Sequence, residues 1–245
     1  MESKNASVAV IGAGDFIGVA IAKRFAAEGF IVHAGRRNGD KLAPLVTEIE
    51  AAGGRAFARS LDARDEADIT AFLTETDSAA PLEVCIFNIG ANVNFPLLET
   101  TERVFRKVWE MACYSGFLAG REAARLMLPR GRGAIFFTGA TASVRGGTGF
   151  AAFAAAKFGL RAVAQSMARE LGPHNIHVAH LVIDGAIDSE AIHRRLSAAS
   201  GTMPELPADS LIQTRSVAEA YWMLHHQSRD GWTHEVDLRP SVERW

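Results

Sequence analysis

Short apolar runs rich in β-branched residues alternate with helical patterns from one end of the chain to the other. The runs are SVAVIG, FIVHAG, RAFARSL, LEVCIFNIG, AIFFTG and HVAHLVI, with a weaker seventh at HEVDL. Continuous apolar runs mark strands buried on both faces, and helices between them imply parallel pairing. The pattern therefore predicts an α/β fold, a doubly wound sheet with helices on both sides. Between the first two runs, Ile17, Ile21 and Phe25 recur every four residues and Gly29 follows, which predicts an amphipathic helix with its C-terminal stop. A second helix shows Leu42, Leu45, Val46 and Ile49 before Gly53 and Gly54. Val104, Phe105, Val108, Trp109 and Ala112 predict one long helix over 102–127, with apolar surface left over for another subunit. Ser216 and Glu219 predict a capping box at the start of the last helix. No repeat, low-complexity tract or linker divides the chain, so one domain over 1–245 is expected, and 201–209, GTMPELPAD, reads as a surface loop or lid.

Composition narrows the function. The chain has 245 residues, 48% of them apolar and 22% charged, enough for one sizeable core. A formal charge of -2 lacks the basic excess that a nucleic-acid partner requires, so a small molecule is the expected ligand. Two cysteines, Cys85 and Cys113, make no disulfide framework, and MESKNASVAVIG lacks the apolar run of a signal peptide, so a cytoplasmic protein is expected. No stretch approaches the length that spans a bilayer. The eight histidines show no metal-ligand spacing, and His225 and His226 are neighbours pointing to different sides of a helix, so no metal is expected.

The first strand runs into IGAGDFIG, which sets Gly12, Gly14 and Gly18 at the opening of the first helix. Glycines there permit a tight turn and let the backbone approach a pyrophosphate, whose charge meets free amides and the helix dipole. A ligand-free strand-to-helix connection is the alternative for a glycine turn taken alone. At the end of the second strand, an acid would bind a ribose 2′-hydroxyl and an arginine would accommodate a 2′-phosphate. Here Gly35 is followed by Arg36 and Arg37, which favours NADP(H) over NAD, with Asp15 as a nearby opposing charge.

The order of these features, with Asp62 after the third strand, FNIG at 87–90, Lys157 on the helix after the fifth strand and IDGAIDS after the sixth, resembles the short-chain dehydrogenase/reductase family over essentially the whole chain. The resemblance implies a Rossmann-type, three-layer α/β/α domain with a seven-stranded parallel sheet, assembled as a homodimer or homotetramer. It implies cofactor contacts at the glycine turn with Phe16 and Ile17, at Asp62 with Ala63, Asn88 and Gly90 on the adenine and ribose side, and at Gly185, Ile187 and Ser189 on the nicotinamide side. Lys157 would hold the nicotinamide ribose. Locally, Asp62 also reads as a helix-start residue and Asn88 as a turn residue.

The family's proton chemistry uses an asparagine, a serine and a tyrosine four residues before the lysine. Aligned on Lys157, those places hold Cys113, Ala140 and Phe153, and Phe150 stands where enoyl reductases of the family carry their tyrosine. A phenyl ring transfers no proton, and losing a positioned acid typically forfeits about a hundredfold to ten-thousandfold in rate. Asp184, where the family usually has proline, is the candidate replacement, with a turn aspartate as the alternative. Thr138, Thr141 and Ser143 offer hydroxyls near the vacant serine place, and Tyr114 stands beside Cys113. The expectation is an NADP(H)-dependent oxidoreductase with a non-standard proton path, acting on a carbonyl, imine or activated C=C of a hydrophobic molecule. The rival readings are a catalytically silent NADP-binding protein and a non-redox lyase or isomerase.

Overall fold

The computed structural model describes residues 4–14, 16–200 and 206–243; Asp15 and the first part of the 201–209 segment lie outside the described residues. Seven strands form one sheet in the order β3-β2-β1-β4-β5-β6-β7: β1 Ser7–Ile11, β2 Ile31–Arg36, β3 Arg55–Ser60, β4 Leu82–Phe87, β5 Gly133–Thr138, β6 Ile176–Ile183 and β7 Glu235–Leu238. Every neighbouring pair is parallel. Each of the predicted runs is thus a strand, the weak seventh included, and the short β7 closes one edge.

Alternation along each strand divides the core between two layers of helices. Val8 and Val10 of β1, Val84 and Ile86 of β4, and Ala134 and Phe136 of β5 face α1 Ile17–Ala27, α2 Ala43–Ala51 and α8 Thr214–His225, the helix that follows α7 Glu190–Ser200 in the chain. Ala9 and Ile11, Cys85 and Phe87, and Ile135 and Phe137 face α3 Glu66–Ala79, α5 Ser115–Met127 and α6 Ala151–Leu171. In the inner strands β1, β2, β4, β5 and β6, burial of both faces explains the unbroken apolar runs, whereas the edge strand β3 is largely exposed and the edge strand β7 half-buried.

The pattern over 102–127 resolves into α4 Glu102–Trp109, one π-helical turn at Glu110–Tyr114, and α5. Thr101 caps α4 by accepting from the Val104 amide at 3.3 Å. The expected capping box at Ser216 is not formed. Gln213 precedes α8, its side chain donates to Asp188 Oδ2 at 2.8 Å, and Ser216 already lies in the first turn with its amide on the Gln213 carbonyl. Among the described residues, no helix is long and apolar enough to cross a membrane.

Because all strands run the same way, the loops that follow them gather at one edge. From β1 the chain winds outward through β2 and β3, then returns to β4 on the other side of β1. Connections diverge at that switch point and leave a crevice, the place where ligands bind in open α/β sheets.

Candidate active site

Two adjoining cavities fill the crevice. The first, about 560 Å³, lies over the ends of β2 and β3 and is lined by Arg36, Arg37, Lys41, Asp62, Ala63 and Arg64. The second, about 740 Å³, lies over the ends of β5 and β6. Gly12, Gly14, Asn88 and Gly90 line both, so the cavities meet over the end of β1.

The turn between β1 and α1 is built for close approach. Gly12 has φ +86, and a Cβ there would lie 2.8 Å from the Asn88 carbonyl oxygen, so only glycine fits. At Gly14 and Gly90 a Cβ would meet nothing within 4 Å, which is open space on the cavity side. Among the described residues no side chain caps α1 at Phe16, and Phe16, Ile17 and Gly18 line the second cavity. An uncapped helix start facing an open groove, with two arginines and a lysine farther along it, fits a phosphorylated dinucleotide.

Asn88 holds this turn from beneath. Its Nδ2 donates to the Gly12 carbonyl at 3.0 Å, and its Oδ1 accepts from Thr138 Oγ1 at 3.0 Å. The Thr138 oxygen in turn lies 2.7 Å from the buried Tyr221 hydroxyl on α8. One donor and one acceptor of the Asn88 amide are therefore spent inside the protein. Asp62 is engaged as well: both its oxygens accept from the Arg64 guanidinium, at 2.9 and 2.6 Å, which holds its carboxyl below the usual range.

In the second cavity Lys157 is 2% exposed. Its Nζ donates to the Thr138 carbonyl at 2.7 Å and the Ile89 carbonyl at 3.1 Å, and burial lowers its pKa to about 8. Phe153, one turn earlier on α6, lines the same cavity with Phe150 and Ala140, and its ring centroid is 6.0 Å from the ammonium. Gly185, Ile187 and Ser189 line the opposite side. They are pinned there by bonds to the segment at Ile212: Ile212 N to Ala186 O at 2.9 Å and Asp188 N to Ile212 O at 2.9 Å.

Two of the candidate proton carriers sit elsewhere than expected. Asp184 does not line the cavity. Its side chain is 8% exposed, and its carboxylate accepts from the Thr141 hydroxyl at 2.5 Å and lies 3.4 Å from Arg239 and 3.7 Å from Arg145. It therefore reaches the cavity through Thr141, which does line it. Cys113 is also turned away. The π-helical turn buries it among Val108, Ala112, Phe153 and Ala156, where burial raises the thiol pKa. Tyr114 is half-buried, packed against the core and stacked on Trp109, and does not line the second cavity. Of the three hydroxyls, Thr138 bonds Asn88 and Tyr221, Ser143 accepts from the Ala140 amide at 3.1 Å, and Thr141 remains at the cavity wall.

The structure also brings in residues that the sequence did not single out. Arg64, Asn38 and Lys41 join the first cavity, and Asn92 and Arg145 the second. A basic residue following the two arginines was a usable signal for Lys41; Arg145 sits in a turn whose direction no periodicity marks.

Known proteins match this arrangement. Residues 6–198 match the short chain dehydrogenase family. The crystal structure of a short-chain dehydrogenase from Rhodopseudomonas palustris is 64% identical, with a TM-score of 0.84 over 97% of this chain and 99% of the other. A metagenomic short-chain oxidoreductase solved in complex with NADP is 26% identical, with a TM-score of 0.80 over 98% and 99%. The 3-oxoacyl-(acyl-carrier-protein) reductase MabA of Mycobacterium avium is 31% identical over 209 residues, 82% of this chain and 75% of its own length. The matched residues run from the glycine turn through Lys157 on the same seven-stranded sheet, and the chain belongs to the short-chain dehydrogenase family.

Proposed function

We propose that this protein is an NADP(H)-dependent oxidoreductase that reduces a substrate needing little acid assistance, a protonated imine foremost, with an activated C=C bond or a reactive carbonyl as the further choices. The nicotinamide supplies the hydride; the protein binds and orients. Arg36 and Arg37 would hold the 2′-phosphate, and Asp62 with Ala63 would border the adenine. The turn at Gly12, Gly14, Phe16, Ile17 and Gly18 would meet the pyrophosphate, while Gly185, Ile187 and Ser189 would flank the nicotinamide. The relative solved with NADP supports the phosphorylated form. Lys157 keeps one N–H beyond its two carbonyl partners, which suits a ribose hydroxyl.

The observation that carries this reading is the direction of the Thr141 hydroxyl. It donates to Asp184, a carboxylate flanked by Arg239, so its lone pairs are left to the cavity side. Such an oxygen accepts a hydrogen bond from a substrate N–H and gives no proton to a carbonyl oxygen. Phe153, four residues before Lys157 on the same cavity, has none to give either. A protonated imine brings its own proton, and Asp184 acting through Thr141 favours that charge. The apolar wall of Phe150 and Phe153 suits a hydrophobic body.

The test is NADPH oxidation across matched ketones, imines and enones, beside a binding titration of NADPH. Imines should be reduced fastest, and Thr141→Val should lower kcat/KM for the imine about tenfold or more with NADPH affinity unchanged. Tight NADPH binding with no oxidation of any substrate would instead identify a silent binding protein. A homodimer or homotetramer completes the proposal: Phe105, Trp109 and Phe117 on α4 and α5 are exposed apolar surface, and sedimentation should find an assembly larger than the monomer.

A further inference from the structure

The second cavity has a one-sided charge. Among the described residues, its lining holds two cations, Lys157 and Arg145, and no aspartate or glutamate. Lys157 lies deep and serves two carbonyls, whereas the Arg145 side chain is 53% exposed and stands at the rim. Its guanidinium makes no hydrogen bond to the described residues. The nearest carboxylate oxygens are Asp184 Oδ1 and Glu243 Oε1, each 3.7 Å away. Asp184 has closer partners in Thr141 and Arg239, so drawing Arg145 inward leaves that carboxylate satisfied.

Local geometry aims this arginine. The Arg145 amide donates to the Thr141 carbonyl at 3.1 Å, which closes one turn and puts the guanidinium-bearing residue beside the hydroxyl at the cavity wall. Gly146 and Gly147 follow and line the same cavity, where the missing side chains leave room for a ligand to reach the rim. A planar guanidinium with unfilled donors is suited to bidentate binding of a carboxylate.

We propose that the substrate of this site carries a carboxylate, held by Arg145 at the rim, on an aromatic or alkyl body seated against Phe150 and Phe153. The inference rests on the reductase reading for the identity of the site and adds the class of its ligand: a hydrophobic organic acid whose reducible C=N or C=O lies near Thr141.

The experiment uses a matched pair of probes that differ in the acid group, 4-phenyl-2-oxobutanoate and 4-phenylbutan-2-one. Each is titrated by calorimetry into the protein with and without NADP, alongside NADPH titrated alone. The acid is expected to bind about tenfold tighter than the ketone or more, the usual worth of a charge-assisted pair at a half-exposed site. Arg145→Gln should abolish that preference, Arg145→Lys should restore part of it, and the ketone's affinity and the NADPH affinity should stay as in the wild type. Equal binding of acid and ketone, a preference that survives in Arg145→Gln, or no binding of either probe overturns the proposal. Loss of NADPH binding with the acid preference intact would sink the reductase reading and leave this one standing.

Discussion

Replacing Lys157 by methionine isolates the energetic strain that the site places on the fold. The ammonium is 2% exposed, and burial lowers its pKa from the ordinary 10.5 to about 8. In the unfolded chain the lysine stays protonated up to 10.5; in the folded protein it gives up its proton near 8. Between these values folding releases a proton, so wild-type stability rises with pH across that window. The penalty for the buried charge is fully present below about 8 and is relieved as pH climbs toward 10.5. At about 1.4 kcal/mol per pH unit, the whole relief is about 3 kcal/mol. Methionine keeps the length of the side chain and removes the titration. It also leaves the carbonyls of Thr138 and Ile89 without this donor, a cost of about 1–3 kcal/mol each that does not depend on pH. Urea unfolding of both proteins from pH 7 to pH 10 therefore separates the two effects, because subtracting the variant's profile cancels the titrating groups that do not interact with Lys157, and Cys113 beside it is the main one that does. Wild type should gain on Lys157→Met progressively above pH 8, by most of about 3 kcal/mol. Parallel profiles would show that the ammonium is solvated and that the burial argument is wrong.

Arg36→Gln with Arg37→Gln should raise the Kd of NADPH about tenfold or more and leave NADH nearly unchanged, as read by fluorescence titration. Phe153→Tyr with Ala140→Ser should create ketone reduction about a hundredfold or more above the parent, since a hydroxyl would then stand one turn before the lysine. Tyr221→Phe removes the hydroxyl 2.7 Å from Thr138 and should cost about 1 kcal/mol in chemical denaturation, with some loss of NADPH affinity as the Asn88 clamp on Gly12 loosens.

How much of this was legible before the structure depends on whether a feature is local. Strand and helix periods are local, which is why all seven strands and the glycine turn stand where the pattern put them. Gly12 announces itself because its φ of +86 and its contact with Asn88 tolerate no side chain. Asp184 could not be read correctly, since its direction is set by Thr141 and Arg239, 43 residues before it and well after it in the chain. Cys113 was misplaced because a π-helical turn rotates the residues after Glu110 relative to a continuous helix, and the apolar spacing did not mark that turn. The capping box failed for a similar reason: Gln213 is drawn to Asp188, a partner on another element.

The two proposals constrain one another electrostatically. Lys157 and Arg145 oppose the attraction that Asp184 exerts on an iminium ion through Thr141, so an imine without an acid group is held less well there than one that carries it. A carboxylate on the same molecule removes the difficulty. With its acid group on Arg145 and its N–H on Thr141, such a substrate is neutral overall, and each of its charges meets a partner of opposite sign, the second being Asp184 behind the hydroxyl. Arg145 and Thr141 are joined by a single backbone turn, so one short rigid element would fix both ends of the reacting group against the face of the nicotinamide. A 2-imino acid should then be reduced faster than an imine lacking the acid, and Arg145→Gln should erase the difference. Equal rates for the two imines in the wild type would leave the imine chemistry possible while removing the reason for a cation at the rim.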